Sequence, residues 1–392
     1  MPVARWSLLS KTPWIARSSH SVSVTKSGVV VVYGGELKPR TPVDSCTDGQ
    51  EGIVKGSVHL FDLKDRSSQI AHRGWRTLSP ASNAAKDATS GIPDARVGAT
   101  IVCDGQSLYL WGGRGGVDMA PPDKAQVGIW RSEIKDDETS TVINWQRIPA
   151  VNEEQAPESR SFHTAVTYAG KIYIHAGCPT TGRLSALDSF DIATRTWKSL
   201  APAPDPVRGG TSLAMASPNQ GGVVLVRYGG FSGYELPSEA GSLDVYSIEE
   251  DKWFTVQPKA DSEHGSPGSR SVHGFAPFQS TSPSLVDAVA LLFHGERDAS
   301  TLGHAGAGTF WHDVWLLTKQ KADGVTDGWA WKKAEVTATN AASESILSVP
   351  EGRGWLGSTA WVDDKGNSRI VMHGGLLSSN ERSDELWELQ VE

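Results

Sequence analysis

One glycine-rich stretch of the chain concentrates side chains that could bind a metal ion. An apolar run at residues 289–293 is followed by Glu296, Asp298 and His304, which lie within nine residues of one another. Three glycines in the same stretch disfavour a helix and let the loop fold back on itself. Carboxylates and an imidazole together suit a divalent first-row metal, iron(II) included. A polar, solvated loop at the end of a strand has the same composition, so both interpretations are open at this point.

The composition of the chain indicates an all-β protein. Its 392 residues include 41 glycines, 21 prolines and 15 tryptophans, which is rich in turn formers and aromatic residues. A net charge of -8 argues against a nucleic-acid partner. We find no run of about 18 apolar residues that could span a membrane. The three cysteines are widely spaced and predict no disulfide framework, so we expect a reducing, cytoplasmic location.

A short element recurs six times along the chain, which is typical of a repeat protein. In each copy an apolar run ends in a pair of glycines or a close variant of it, and an arginine stands one strand earlier. The arginines are Arg17, Arg96, Arg160, Arg208, Arg270 and Arg353. The residues directly after the glycine pairs are Glu36, Arg114, Cys178, Phe231, Glu296 and Leu376. Aromatic and tryptophan strands follow, so each copy predicts four short strands.

These copies resemble the kelch repeat, whose signature is the double glycine with the later aromatic and tryptophan. The resemblance implies an all-β, six-bladed kelch β-propeller with four-stranded blades. The sixth copy lacks its tryptophan strand, and residues 5–9 are similar to the strands that begin at Trp75 and Trp197. We therefore expect residues 4–9 to complete the last blade, which closes the ring, and residues 3–392 to form a single domain.

The residues that follow the glycine pairs are predicted to line one end of the central channel. Long loops at 36–57, 114–128 and 296–312 should open there, where repeat proteins place their sites. Arg114 follows its glycines directly and could clamp an anionic group through two hydrogen bonds, with a surface salt bridge as the alternative. Glu36 holds the same position in the first blade and is a candidate proton acceptor. Four of the recurring arginines, Arg17, Arg96, Arg208 and Arg270, are expected to bond carbonyls between blades.

The chain also resembles the plant specifier proteins, the nitrile-, epithio- and thiocyanate-forming proteins of glucosinolate breakdown. The stretches that carry this resemblance are Trp111-Gly112-Gly113-Arg114, Arg160-Ser161-Phe162-His163, Arg208-Gly209-Gly210, Arg353-Gly354-Trp355 and residues 371–386. The iron motif of that family is Glu, three residues, Asp, three residues, His. Glu296 and His304 match its first and last positions, whereas Ser300 stands at the aspartate position and Asp298 is a possible substitute. The resemblance implies a metal site at Glu296 and His304, an anion clamp at Arg114 and a pocket wall at Trp355.

Two classes of function are open on this basis. A specifier-like lyase that depends on Fe(II) would act on a small anionic substrate, sulfur-containing or otherwise unstable, supplied by an upstream hydrolase. In that family the iron is taken to bind sulfur and promote loss of sulfate, as a Lewis acid and template. A non-catalytic kelch interaction module would instead bind a partner protein, as most kelch propellers do. A measurement of bound iron distinguishes the two classes.

Overall fold

The computed structural model of the protein describes residues 1–46, 53–64, 74–80, 91–123, 127–135, 140–218, 222–236, 241–320, 328–338 and 349–392. Two units divide the chain: Arg17–Leu200 is one, and Met1–Ala16 with Ala201–Glu392 is the other. Each unit contains three sheets built around four antiparallel strands, which we call blades 1–3 and blades 4–6 in chain order. Within the described ranges no helix has the length and apolar character needed to cross a bilayer.

The chain begins with β1 (Val3–Lys11), which belongs to blade 6. Blades 1–3 follow. Blade 1 consists of β2 (Ser21–Val24), β3 (Val29–Tyr33), the short hairpin β4 (Glu36–Lys38) and β5 (Thr41–Pro42), β6 (Val58–Asp62) and β7 (Arg76–Pro80). Blade 2 consists of β8 (Val97–Asp104), β9 (Ser107–Arg114), β10 (Ile129–Glu133) and β12 (Gln146–Ile148), while β11 (Val142–Ile143), between β10 and β12 in the chain, joins the sheet of blade 1. Blade 3 consists of β13 (Thr164–Tyr168), β14 (Lys171–His175), β15 (Leu187–Asp191) and β16 (Thr196–Leu200).

The other unit holds the remaining strands. Blade 4 consists of β17 (Ser212–Ala216), β18 (Val224–Tyr228), β19 (Leu243–Ser247) and β20 (Lys252–Val256). Blade 5 consists of β21 (Gly274–Pro277), β22 (Ala288–Phe293), β23 (Glu296–Asp298), β24 (Thr309–Phe310), β25 (Val314–Lys319) and β26 (Trp329–Lys333), and β27 (Glu335–Ala338) follows it. Blade 6 consists of β28 (Arg353–Gly354), β29 (Gly357–Val362), β30 (Ser368–His373), β31 (Leu376–Leu377), β32 (Glu385–Val391) and β1.

The N-terminal strand completes the last blade, as predicted. β1 runs antiparallel to β32, with Ala4 opposite Val391, and β27 adds a parallel fifth strand on its other side. Trp6 is 1% exposed and packs edge-on against Phe293 and Trp387, with ring centroids 5.8 and 6.4 Å away. The fifth strand was not predicted, and neither was β11, which pairs in parallel with β7. The six blades confirm the predicted all-β, six-bladed β-propeller class.

The recurring arginines are buried and structural. In every blade Nη1 of the arginine donates to the carbonyl of the first residue of the glycine pair, at 2.9–3.3 Å. This carbonyl belongs to the same blade, so the prediction that four of these guanidiniums bond carbonyls between blades was wrong. The chain turns sharply at the glycine pair, so this carbonyl lies close to the arginine that precedes the first strand of the same blade. Neighbouring blades are joined by backbone instead, as where Gly35 N–H donates to the Arg96 carbonyl at 3.0 Å.

Blade 1 differs from blade 3 in the acid that neutralises its arginine. In blade 3 the acid is Asp188, the second residue of the third strand. Blade 1 has His59 at that strand position, and the acid is Asp44 from the loop that follows Glu36. Asp44 accepts from Arg17 Nη1 at 2.7 Å and contacts His59 Nε2 at 2.8 Å. This buried contact anchors the end of the loop to the blade.

Candidate functional site

The loop after each glycine pair returns to the same blade. In five blades the carbonyl of the second glycine accepts a backbone N–H from the residue at the end of the loop, at 2.9–3.0 Å. We call these segments the rim loops, and they comprise residues 36–42, 178–183, 231–235, 296–310 and 376–382. Five of the six positions singled out from the sequence therefore open a rim loop, and the sixth, Arg114, ends β9. Of the long loops that were predicted, residues 47–52 and 124–126 lie outside the described part of the chain.

Arg114 is a half-buried cation at the end of β9. Its Nε donates to the Ser161 hydroxyl at 2.7 Å, and the guanidinium carbon lies 5.2 Å from the centre of the Phe162 ring. The Ser161 hydroxyl in turn lies 3.5 Å from the carbonyl oxygen of Cys178. A guanidinium held at Nε and along one face keeps the opposite edge in a fixed orientation, which suits two parallel hydrogen bonds to an oxyanion.

Four charged or titratable groups of the same unit act on Arg114. Burial lowers the pKa of the guanidinium, Arg40 and Arg183 lower it further, and Cys178 and Glu36 oppose this change. The pKa of the Cys178 thiol is raised by its own burial, so the thiol is neutral near pH 7. Arg40 and Arg183 lie on the rim loops of blades 1 and 3, the blades on either side of Arg114 in the chain. The sequence analysis missed both of these arginines.

Glu36, the predicted proton acceptor, lies in the same unit as Arg114. One carboxylate oxygen accepts the backbone N–H of Arg40 at 2.7 Å, and the other is 3.5 Å from the Ser19 hydroxyl. Arg40 has a φ of 60°, a left-handed conformation that is unfavourable for a non-glycine residue. Glu36 therefore stabilises the turn that carries Arg40. Its role as a proton acceptor stays a prediction.

Glu296 is buried in the other unit, at the start of its rim loop. It is 7% exposed, and its backbone pairs with Ser271 through bonds of 2.9 and 3.1 Å. Burial raises the pKa of the Glu296 carboxyl to about 7, and the nearby Glu235 adds to this, while hydrogen bonds from the Trp355 side chain and the Gly308 backbone oppose it. Near neutral pH this carboxyl is therefore protonated in a substantial fraction of molecules.

Trp355 is the residue that the resemblance implied as a pocket wall, and that role stays a prediction. It is half-buried, it has a φ of 57°, and its backbone N–H donates to the Val272 carbonyl at 2.9 Å. Its ring lies 6.2 Å from that of Phe231, which opens the rim loop of blade 4. Glu235 on that loop accepts from the Ser271 hydroxyl at 3.1 Å. The aromatic pair and the two carboxyls thus form one polar and aromatic corner within this unit.

The other two predicted metal ligands lie at the surface, whereas Glu296 is buried. Asp298 is exposed and accepts from the Thr309 hydroxyl at 2.6 Å and from Arg297 Nε at 3.0 Å. His304 is exposed on the short 3₁₀ turn Gly303–Ala305. Throughout the described residues no three His, Cys, Asp or Glu side chains are grouped so that they could hold a metal ion.

Ser300, at the family aspartate position, makes a local contact. Its hydroxyl accepts the backbone N–H of Leu302 at 3.1 Å, so it stabilises the turn that precedes His304. The three-ligand iron site implied by the resemblance does not fit this arrangement of side chains. Iron binding by Glu296, Asp298 and His304 stays a prediction.

Comparison with known proteins identifies the family. Residues 78–282, more than half of the chain, match the KLHDC2/KLHL20/DRC7 Kelch-repeats domain. The chain belongs to this kelch-repeat family. The solved structure of YjhT aligns with 98% of this kelch-repeat protein and 100% of that chain, with a TM-score of 0.60 at 14% sequence identity. At this identity the likeness shows a shared fold.

Two curated relatives suggest different functions. The kelch-repeat protein is 24% identical over 396 residues to N-(sulfonatooxy)prop-2-enimidothioate sulfolyase of Thlaspi arvense, across 96% of this chain and 92% of the relative. It is 25% identical over 255 residues to an F-box/kelch-repeat protein of Arabidopsis thaliana, across 62% of this chain and 45% of that relative. The first comparison agrees with the resemblance to specifier proteins.

Proposed function

We propose that this kelch-repeat protein is a specifier-like lyase that binds a small anionic substrate at Arg114. The observation that carries the proposal is the guanidinium itself, which is half-buried, bonded to Ser161 at 2.7 Å and stacked on Phe162. A side chain fixed in this way is preorganised for an oxyanion and loses little conformational entropy on binding. The similarity to the sulfolyase over nearly the whole chain supports a substrate that carries a sulfate group.

In nitrile formation from such a substrate, the bond between nitrogen and the sulfate oxygen breaks and both electrons leave with sulfate. The electron pair of the carbon–sulfur bond becomes the third carbon–nitrogen bond, and the sulfur leaves as elemental sulfur. Negative charge grows on the sulfate oxygens as the nitrogen–oxygen bond lengthens. Arg114 would bind those oxygens more tightly in the transition state than in the substrate, which lowers the barrier. We assign no step to iron, because no three His, Cys, Asp or Glu side chains of the described residues are grouped as metal ligands. Such a substrate is unstable, so the proposal includes an upstream hydrolase that releases it.

A second function, an interaction module, is favoured by apolar side chains on two rim loops. Tyr234 is 67% exposed and Leu302 is 71% exposed. Exposed aromatic and aliphatic side chains on such loops suit a protein partner. The F-box/kelch relative is consistent with this alternative. A partner that bound there would lose affinity in Tyr234→Ser and Leu302→Ser, and Arg114→Ala would leave it unchanged.

The experiment that tests the lyase generates an N-sulfonatooxy imidothioate from its thioglucoside with a thioglucosidase, in the presence and absence of the kelch-repeat protein. Gas chromatography measures the nitrile, thiocyanate and rearranged isothiocyanate. We expect the protein to shift the products from isothiocyanate towards nitrile or thiocyanate. An unchanged product distribution at stoichiometric protein, with added iron(II), would overturn the proposal for this substrate.

A further inference from the structure

Two carboxyl groups and two aromatic rings meet in one corner of blades 4–6. We call it the aromatic–carboxyl corner, and it comprises Phe231, Glu235, Ser271, Glu296 and Trp355. Ser271 links the two acids, because its hydroxyl donates to Glu235 Oε1 at 3.1 Å and its backbone pairs with that of Glu296 through bonds of 2.9 and 3.1 Å. Glu296 is buried and Glu235 is half-buried, so solvent reaches Glu235 more easily.

The aromatic rings complete a closed circuit of contacts around this corner. The Trp355 side chain donates a hydrogen bond to the Glu296 carboxyl, and its ring centroid lies 6.2 Å from that of Phe231. Phe231 in turn pairs with Glu235 across the rim loop of blade 4. Each of the five residues therefore contacts two others of the set, which fixes the acids beside the rings.

The backbone of three consecutive blades sets the positions of the two rings. Val272 N–H donates to the Gly210 carbonyl at 2.8 Å, and Trp355 N–H donates to the Val272 carbonyl at 2.9 Å. The Phe231 ring lies against Gly210, where a Cβ would be 2.6 Å from its Cε1 atom. Both rings are half-buried, so each keeps a part of its surface open to a ligand.

The corner carries negative charge that no nearby basic side chain neutralises. Arg297 follows Glu296 directly in the chain, yet it pairs with Asp298 at 3.0 Å. Within the part of the chain that the structure describes, no lysine, arginine or histidine forms an ion pair with Glu235 or Glu296. A carboxylate beside aromatic rings attracts cations, because the faces of the rings are also electronegative.

We propose that the aromatic–carboxyl corner binds a small organic ammonium ion, with its charged nitrogen at Glu235 and its carbon atoms against Phe231 and Trp355. The rings favour an organic cation over a metal ion, because a divalent metal binds through several oxygen or nitrogen ligands and gains no contact with an aromatic face. The site lies in a different unit from Arg114, and it does not rest on the proposed lyase activity.

Benzylamine and benzyl alcohol are the matched probes, because they share the ring and the length and only the amine is charged at neutral pH. Ligand-observed NMR titration of the full chain at low salt gives both dissociation constants. We expect wild type to bind benzylamine about 10-fold more tightly than benzyl alcohol. Glu235→Gln keeps an oxygen acceptor for Ser271 but removes the charge. It should lose this preference and retain the affinity for benzyl alcohol within about twofold.

Two further variants assign the effect to the corner. Glu263→Gln removes an exposed carboxylate of the same unit, and it should retain the preference for the amine. Phe231→Leu keeps an apolar side chain but removes one ring, so it should weaken the binding of both probes. Melting temperatures show that each variant is folded.

Four results would overturn the proposal. The first is equal binding of the two probes by wild type. The second is an equal loss of preference in Glu263→Gln and Glu235→Gln, because the selectivity would then come from general charge. The third is unchanged binding of both probes by Phe231→Leu, since the ring would then lie outside the site. The fourth is that neither probe binds while Glu235→Gln weakens the binding of iron(II), which would make the corner a metal site.

Discussion

Glu296 and Asp298 lie two residues apart on β23, yet their carboxyl groups face different surroundings. Glu296 is buried beside Trp355, and Asp298 is bonded at the surface to Thr309 and Arg297. In a regular strand residues two apart share a face. Here the pairing with β24 shifts register between them, and the irregularity separates the two side chains. The sequence spacing that suggested a shared set of metal ligands therefore does not bring these two carboxyl groups together.

This separation predicts how the loop responds to iron(II). Asp298→Ala should leave the iron affinity unchanged, whereas Ser300→Asp should raise it by about 10-fold or more, since it restores a third ligand. Anaerobic calorimetric titrations measure both, with Thr301→Asp as the control for added charge. Equal weakening by Asp298→Ala and Glu296→Ala would mean that Asp298 rotates in to bind the metal.

The pKa of Glu296 predicts a pH dependence of stability. Its folded pKa of about 7 lies above the ordinary value of 4.5, so the folded state favours the protonated carboxyl. The stabilisation is complete below pH 4.5 and is lost as the pH rises to 7. Relative to Glu296→Gln, wild type should lose about 3 kcal/mol across this window. Urea unfolding at several pH values measures this difference, and parallel profiles for the two proteins would show that Glu296 does not titrate in this range.

The N-terminal strand should be essential for the stability of blade 6. Trp6→Ala removes a side chain that packs against Phe293 and Trp387, and should cost about 3–5 kcal/mol. Trp14→Ala is the matched control, because Trp14 is 46% exposed. Deletion of residues 1–9 should expose the edge of β32 and promote aggregation. A truncated protein that stays monomeric with an unchanged melting temperature would contradict the role of β1.

Asp44 should be essential for the stability of blade 1. Its carboxylate contacts Arg17 and His59, and Arg17 holds the pKa of Asp44 at about 2 despite burial. Asp44→Ala should cost about 3–5 kcal/mol, because it removes the carboxylate that neutralises the buried Arg17. Asp94→Ala, which removes an exposed ion pair with Lys55, is the control. An Asp44→Ala variant as stable as wild type in urea unfolding would show that the blade does not depend on this contact.

The fold was predictable because the repeat encodes it locally. Each glycine pair, with its arginine, predicts where one strand ends. Six copies of the pattern agree, and together they predict six blades. The role of β1 followed from the missing strand of the last repeat. The parallel strands β11 and β27 were not predictable, because neither carries a repeat signal: β11 lies between β10 and β12 within the second repeat, and β27 lies between the fifth and sixth repeats. Their pairing depends on which backbone edge the neighbouring blade leaves available.

The candidate site was predictable only in part. Repeat position identified Glu296 as the first residue of a rim loop and Arg114 as the residue after its glycine pair, where β9 ends. Arg40, Arg183 and Glu235 lie inside the rim loops, whose conformation has no fixed offset from the repeat. The charge of Arg183 could have been noticed as a cation near Cys178, although nothing in the sequence indicates that this charge acts on the pKa of Arg114. Asp298 shows the opposite case, where a correct residue type is turned away by a strand irregularity.

The central claim is that Arg114 binds the anionic group of the substrate, and the rate of sulfate release tests it most directly. Sulfate release from an N-sulfonatooxy imidothioate generated in situ is measured for wild type, Arg114→Lys and Arg114→Ala. The control is Arg195→Gln, which removes an exposed arginine of blade 3. We predict that Arg114→Ala slows protein-dependent sulfate release by about 100-fold, and that Arg114→Lys recovers part of the rate because it keeps the charge without the planar fork. The same rate in wild type, Arg114→Lys and Arg114→Ala would contradict this account.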